Sequence, residues 1–265
     1  MNRIAQTFKK CADENRKALV IFVSAGNPDI ATTEKLIVQA AEAGADIVEL
    51  GVPFSDPMAD GPVIQEASMR ALKSGTTLVD VIAMAARIRK VSAIPMVLFS
   101  YYNVILSYGV EKAAADCKAA GIDAWLTVDV PFEESSEIIP HLEKYGLCLI
   151  PLVAPTTPEA RAREIVKDAK GFVYYITVAG VTGARKQLSV NLEERLNELR
   201  KFSPVPVVAG FGISSPEMAA RTAACADGIV VGSALVKIMN DAKSPEIGIN
   251  QSLELIRGLA AALKK

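Results

Sequence analysis

Eight short apolar runs separated by segments of helical period predict an α/β chain folded as a (β/α)8 TIM barrel with an N-terminal lead-in helix. The runs span 18–23, 46–50, 95–99, 124–128, 147–152, 172–176, 205–209 and 228–231, and they are close to continuous Val, Ile and Leu. Strands buried on both faces read this way, and single helical segments between them require parallel pairing. Neither a low-complexity tract nor a linker interrupts the 265 residues, so residues 1–265 are read as one domain. A doubly wound open sheet is the competing fold; it lacks support because the sequence has neither an early G-x-G-x-x-G nor a P-loop.

Each element follows from its pattern. Ile4, Phe8 and Cys11 recur at helical spacing within residues 2–15 and predict the amphipathic lead-in helix. Helical patterns then cover 31–43, 63–91 with an interruption at Gly75, 110–120, 133–145, 158–169, 192–202 and 216–225. A last helix over 247–263 follows a small turn beyond Val236.

Composition excludes several functions. A net charge of -1 and a pI near 6.0 give no reason to expect nucleic acid or an anionic membrane as partner. Mean hydropathy is +0.27, yet no apolar stretch reaches the roughly 18 residues that span a bilayer. The first residues carry no apolar signal core, so the expected location is the cytoplasm. Cys11, Cys117, Cys148 and Cys225 are far apart, which suggests neither zinc nor a disulfide framework.

The chemistry of a barrel lies at the C-terminal ends of its strands. The second run contains Glu49, a carboxylate where a core wants Val or Ile, and burying it is costly unless it is paired or used. Alternation puts Ile47, Glu49 and Gly51 on one face. Eleven residues on, Asp60 lies in a loop stiffened by Pro53, Pro57 and Pro62. Such a pair suits acid and base work. The long segment from Thr177 to Lys186, with Thr182 and Gly183, reads as a lid. Gly210 to Glu217 and Gly232-Ser233 open helices after the seventh and eighth strands, where barrels bind phosphate on backbone N–H groups. Glycines at helix starts also serve plain packing, so the two loops carry the signal together.

What is missing narrows the reaction. The single His141 falls on a solvent-facing helical pattern, and no Lys lies inside a strand run. Metal clusters, Schiff-base aldolases and Ser-His triads are therefore disfavoured. Metal-free proton transfer by carboxylates on a phosphorylated small molecule remains. An isomerase or epimerase on the same scaffold stays open on fold grounds alone.

Glu49 followed by Phe54-Ser55-Asp56-Pro57-Met58-Ala59-Asp60-Gly61-Pro62-Val63-Ile64-Gln65, then Ala179-Gly180-Val181-Thr182-Gly183, then Gly210-Phe211-Gly212-Ile213-Ser214, resembles the tryptophan synthase α-subunit family in order and spacing. The resemblance implies retro-aldol cleavage of indole-3-glycerol phosphate to indole and glyceraldehyde 3-phosphate, the last stage of tryptophan biosynthesis. It implies no cofactor and no metal on this chain, and a β-subunit partner carrying pyridoxal phosphate in an α2β2 assembly. By the same resemblance Glu49 is the general acid and base, and Asp60 faces the indole N–H. Thr182 reaches Asp60 when the lid closes. Gly183, Gly212, Gly232 and Ser233 hold the phosphate. Phe22, Tyr101, Leu126, Val128 and Phe211 line the indole pocket, and Tyr174 abuts Glu49.

Departures concentrate elsewhere. Ser24 and Asn27 stand where the family commonly has Thr and Asp, Ser100 where an apolar residue or Thr is usual, and Val178 where Arg is frequent. Asp56 and Pro57 read either as a stiff turn or as a docking point for the β-subunit. A lyase that works alone and a catalytically idle barrel that only binds a partner are the other readings; retention of Glu49 and Asp60 argues against the second.

Overall fold

Helix α1 (Arg3–Asp13) enters ahead of the first strand and turns its buried Ile4, Phe8 and Cys11 toward the barrel floor. The computed structural model describes residues 2–176, 192–210 and 212–264. β1 (Ala18–Ser24), α2 (Ile30–Ala43), β2 (Ile47–Gly51), α3 (Pro62–Lys73), α4 (Leu78–Arg89) and β3 (Met96–Ser100) follow. Next come α5 (Tyr102–Tyr108), α6 (Val110–Ala120), β4 (Ala124–Thr127), a 3-10 turn (Phe132–Glu137) and α7 (Ile139–Lys144). β5 (Cys148–Leu149), β6 (Leu152–Val153), α8 (Glu159–Val166), β7 (Val173–Ile176), α9 (Leu192–Phe202) and β8 (Val207–Gly210) lead to α10 (Pro216–Ala223), β9 (Gly228–Val231), α11 (Ser233–Asp241) and α12 (Pro245–Ala262).

The described strands form one parallel sheet in the order β5-β4-β3-β2-β1-β9-β8-β7-β6. Its two ends belong to the same stretch of chain. Ile150 donates its N–H to Trp125 in β4 (2.8 Å), and the Pro151 carbonyl accepts from Tyr174 in β7 (2.9 Å). The stretch therefore bridges both neighbours and closes the barrel. The fifth expected strand is present in two pieces because Pro151 has no N–H to give its neighbour.

Alternation sorts the side chains as expected. Val20, Ile47, Val97, Leu126, Ile150, Tyr174 and Val208 fill the interior, while Val48, Leu50, Leu98 and Trp125 pack outward against helices. Helix boundaries follow their capping residues. Asp29 and Ser244 accept N–H groups at the starts of α2 and α12, and Gly44 and Gly121 end α2 and α6 in the left-handed region. The helical pattern over 63–91 divides at Gly75 into α3 and α4. Two segments differ from expectation. The helix opened at Gly232-Ser233 runs on past Val236 to Asp241 as α11, where a small turn is expected, and the 133–145 pattern resolves into the 3-10 turn and the short α7, with Pro140 near its start.

The floor of the barrel is pinned by one device used three times. Asp46, Asp123 and Asp227 each precede a strand and accept the N–H of a residue in the neighbouring one: Leu19 (2.9 Å), Met96 (2.9 Å) and Val207 (3.0 Å). Each is also paired with Arg: Arg16 on Asp46, Arg3 and Arg89 on Asp123, and Arg200 on Asp227. Stability devices at this end leave the other end for chemistry.

Candidate active site

Glu49 points into the barrel from β2 and is wholly buried. Neither of its carboxylate oxygens has a hydrogen-bond partner among the described residues. Burial without compensation disfavours the anion, and desolvation pushes its pKa from 4.5 to about 8. An uncompensated carboxyl inside a core is what a proton donor requires and what packing alone would avoid.

Asp60 lies in the loop between β2 and α3 and is 7% exposed. The Tyr101 hydroxyl donates to its Oδ2 (3.0 Å), and the Ala59 N–H donates to the same hydroxyl (2.9 Å). Desolvation raises the Asp60 pKa to about 6, against the lowering effect of the Tyr101 hydrogen bond. Gln65 fastens the loop by donating its side-chain N–H to the Asp60 carbonyl (2.8 Å). Tyr101 stacks on Phe54 with ring centroids 5.0 Å apart. The expectation for Tyr101 is a pocket wall; the structure makes it in addition the hydrogen-bond partner of Asp60, a link that sequence spacing does not signal.

The charges of both acids reach Tyr174. It is buried in the barrel, and its pKa is driven well above 10.0, first by desolvation and then by the charges of Glu49 and Asp60. Its ring occupies space that Gly210 leaves open: a Cβ there would fall 2.3 Å from the Tyr174 hydroxyl oxygen. Gly51 does the same for Phe22, with a Cβ 2.4 Å from the ring. Phe22 meets Phe99 edge to face at 4.9 Å, which makes Phe99 part of the same aromatic wall. Leu126 lies in the interior with Val128 packed against the same cluster.

Gly232 precedes α11, whose first turn has neither a side-chain cap nor an acidic residue, leaving backbone N–H groups of Ser233 and its successors toward the mouth. By contrast, Ser215 already caps α10. Gly212 adopts φ of +81°, which favours glycine. Thr182, Gly183, Phe211 and Val178 lie outside the described residues.

The loop after β1 is tied to the helices around this site. The Asn27 side-chain N–H donates to Asn240 Oδ1 (2.8 Å), and Asn240 donates to the Val63 carbonyl (3.0 Å) in α3. Aspartate at position 27 would bring no donor, which accounts for asparagine there. Asp56 is exposed and Pro57 half-buried, beside Met58 at 79% exposure. Among the described residues no group of three or more His, Cys, Asp and Glu is placed to hold a metal, and no helix is long and apolar enough to cross a membrane.

Residues 8–264 match the family model described as tryptophan synthase alpha chain. The chain belongs to that family. It is 52% identical over 248 residues to the tryptophan synthase alpha chain of Geobacter sulfurreducens, covering 94% of each chain. With that of Geotalea uraniireducens it shares 47% identity over 264 residues, 100% of this chain and 97% of the other. Among solved structures, the tryptophan synthase subunit alpha of Legionella pneumophila superposes with a TM-score of 0.88 at 37% identity, covering 99% and 98% of the two chains. Tryptophan synthase of Mycobacterium tuberculosis gives 0.91 at 34% identity, over 100% and 99%. The barrel is thus the tryptophan synthase alpha fold, and the chain is a lyase that cleaves indole-3-glycerol phosphate to indole and glyceraldehyde 3-phosphate.

Proposed function

We propose that Glu49 and Asp60 carry this cleavage, with Glu49 moving protons and Asp60 holding charge. The observation that carries the reading is Glu49 itself: fully buried and without a hydrogen-bond partner among the described residues, an environment whose desolvation pushes its pKa up to about 8 and favours the protonated form at neutral pH. A protonated Glu49 delivers its proton to the indole C3, which converts the ring to an electron sink. The resulting carboxylate takes the proton of the substrate hydroxyl. The bond between C3 and the side chain then breaks, its electron pair returns to the ring, and the hydroxyl carbon becomes the aldehyde. Asp60, ionised above about 6, faces the ring N–H while positive charge develops there.

Phe22, Tyr101, Leu126, Val128, Tyr174 and Phe211 hold the ring. Gly183, Gly212, Gly232 and Ser233 hold the phosphate on backbone N–H groups, and Thr182 closes over Asp60. The uncapped first turn of α11 supports the phosphate assignment. The chain itself uses no cofactor. It works in the cytoplasm as one domain, in an α2β2 assembly whose β-subunit carries pyridoxal phosphate and receives the indole. Asp56 and Pro57, beside the exposed Met58, form part of the docking surface.

Indole release from indole-3-glycerol phosphate by the purified chain, with and without a tryptophan synthase β-subunit, tests this reading. Release strongly stimulated by the β-subunit is expected. Fast release that the β-subunit leaves unchanged points to a lyase working alone, and no release in either case removes catalysis from the chain.

A further inference from the structure

The split of the fifth strand leaves a cavity that the cleavage site does not use. At Leu149 and Pro151 the outer face of the barrel is covered by the 3-10 turn and the six-residue α7, where a full-length helix would close it. Between these and α8 lies a pocket of about 440 Å³. That is within the range of roughly 300–1,000 Å³ typical of small-molecule sites. Its apolar wall includes Val130, Phe132, Ile139, Leu149, Pro151 and Ile165. At the end nearest the mouth it is bounded by Val128, Leu152 and Ile176, which also pack against the barrel interior. The pocket therefore shares a wall with the space assigned to the indole ring.

Charge selects among the molecules that pass through that space. The ionisable residues lining the pocket are Asp129, Glu164 and Asp168 against Arg161 alone, and Arg161 is held by both carboxylate oxygens of Glu133 (2.6 and 2.9 Å). Such a rim repels the phosphate of the substrate and of glyceraldehyde 3-phosphate. Indole is the neutral one of the three. An apolar cavity of about 150 Å³ suffices for benzene, so a bicyclic ring fits here with room to spare.

We propose that this pocket between α7 and α8 is a second binding site for a neutral planar aromatic molecule of the indole class, beside the cleavage site and separate from it. The proposal rests on the indole-releasing reading of the neighbouring site. Its wall residues Ile139, Leu149 and Ile165 are not part of the cleavage machinery, so they can be altered without touching it.

The test is equilibrium dialysis of the full chain with radiolabelled indole, together with methyl NMR of the same titration. Two indoles per chain are expected, with shifts at the Ile139, Leu149 and Ile165 methyls in addition to those in the barrel interior. Ala169→Phe, which places a ring into the pocket from the turn after α8, should reduce the count from two to one while leaving indole-3-glycerol phosphate cleavage within twofold. Should that variant fail to fold, the methyl shifts in the parent chain decide alone. A single indole per chain with unmoved Ile139, Leu149 and Ile165 methyls overturns the proposal, as does an unchanged count in folded Ala169→Phe. Failure of the cleavage reading is separate, since it shows as absent indole release from the parent chain.

Discussion

The Tyr101 hydroxyl donates to Asp60 at 3.0 Å while accepting the Ala59 N–H at 2.9 Å, so the acid in the loop after β2 is oriented by a residue at the end of β3. Because the donated proton favours the charged form, it opposes the desolvation that raises the Asp60 pKa to about 6. Tyr101→Phe should move that pKa further up. The acidic limb of the cleavage profile then shifts to higher pH, and cleavage at pH 7 falls about tenfold or more, as expected for a lost hydrogen bond to a charged group worth about 1.5–3 kcal/mol. A pH–rate profile identical to that of the parent chain would show that Tyr101 only packs.

Glu49→Gln should abolish indole release and at the same time stabilise the fold at neutral pH. The folded carboxyl sits at about 8 and the exposed one at 4.5, so the native state holds the proton longer than the unfolded chain. A raised acid pKa means that stability falls as pH rises from 4.5 to about 8 and is level outside that window. A tenfold difference in proton affinity between the folded and unfolded chain is worth about 1.4 kcal/mol, so the variant should gain roughly 3–3.5 kcal/mol at pH 7 and almost nothing at pH 4. Urea unfolding at the two pH values reads this directly. An advantage that does not change with pH contradicts the assigned protonation state.

Asp60→Asn keeps the shape and removes the charge. Cleavage should drop by about 100-fold or more, because an oriented charge in a dry site is worth several kcal/mol to a developing cation. Single-turnover measurement with saturating substrate separates this from a binding defect; near-parental turnover would leave Asp60 a loop-shaping residue.

Gly51→Ala tests the aromatic wall. Its new methyl would stand 2.4 Å from the Phe22 ring, so Phe22 must leave its edge-to-face contact with Phe99. KM for indole-3-glycerol phosphate should rise about tenfold with the fold intact, read by steady-state kinetics beside far-ultraviolet circular dichroism. Parental KM would mean that Phe22 does not shape the ring site.

At the opposite end, Asp123→Ala removes the acceptor of the Met96 N–H and the partner of Arg3 and Arg89. The Asp123 side chain is 4% exposed but Arg3 is 44% and Arg89 16% exposed, so the loss falls below the roughly 3–5 kcal/mol of a fully buried pair broken from one side. Denaturant midpoints should fall accordingly, while turnover per folded chain stays near the parental value. Lost turnover in the folded fraction would show that floor and mouth are coupled.

Barrel and acids are legible in the sequence for a common reason: both break a local rule strongly. Strands buried on two faces leave runs such as Leu19 to Val23 with no polar residue, and Glu49 interrupts one of them with a charge that packing has no use for. Cleavage of the fifth strand into β5 and β6 hangs on one missing N–H at Pro151, which periodicity smooths over. Helix α5 follows directly from the end of β3, where the apolar run and the helical pattern overlap and neither period dominates. Contacts between distant loops stay hidden for a different reason. Tyr101 and Asp60 are 41 residues apart, and Asn27 and Asn240 are 213 apart, so their meeting depends on barrel closure and not on any local pattern.

Helix α1 turns the barrel into a vessel with a stopper. Ile4, Phe8 and Cys11 fill the floor, so on the proposed reading substrate, aldehyde and indole share the mouth as entrance and exit. Traffic through one aperture imposes an order: the aldehyde and the ring leave by the same opening the next substrate must enter. A partner seated over that opening therefore controls arrival, departure and direction at once, without contacting either acid.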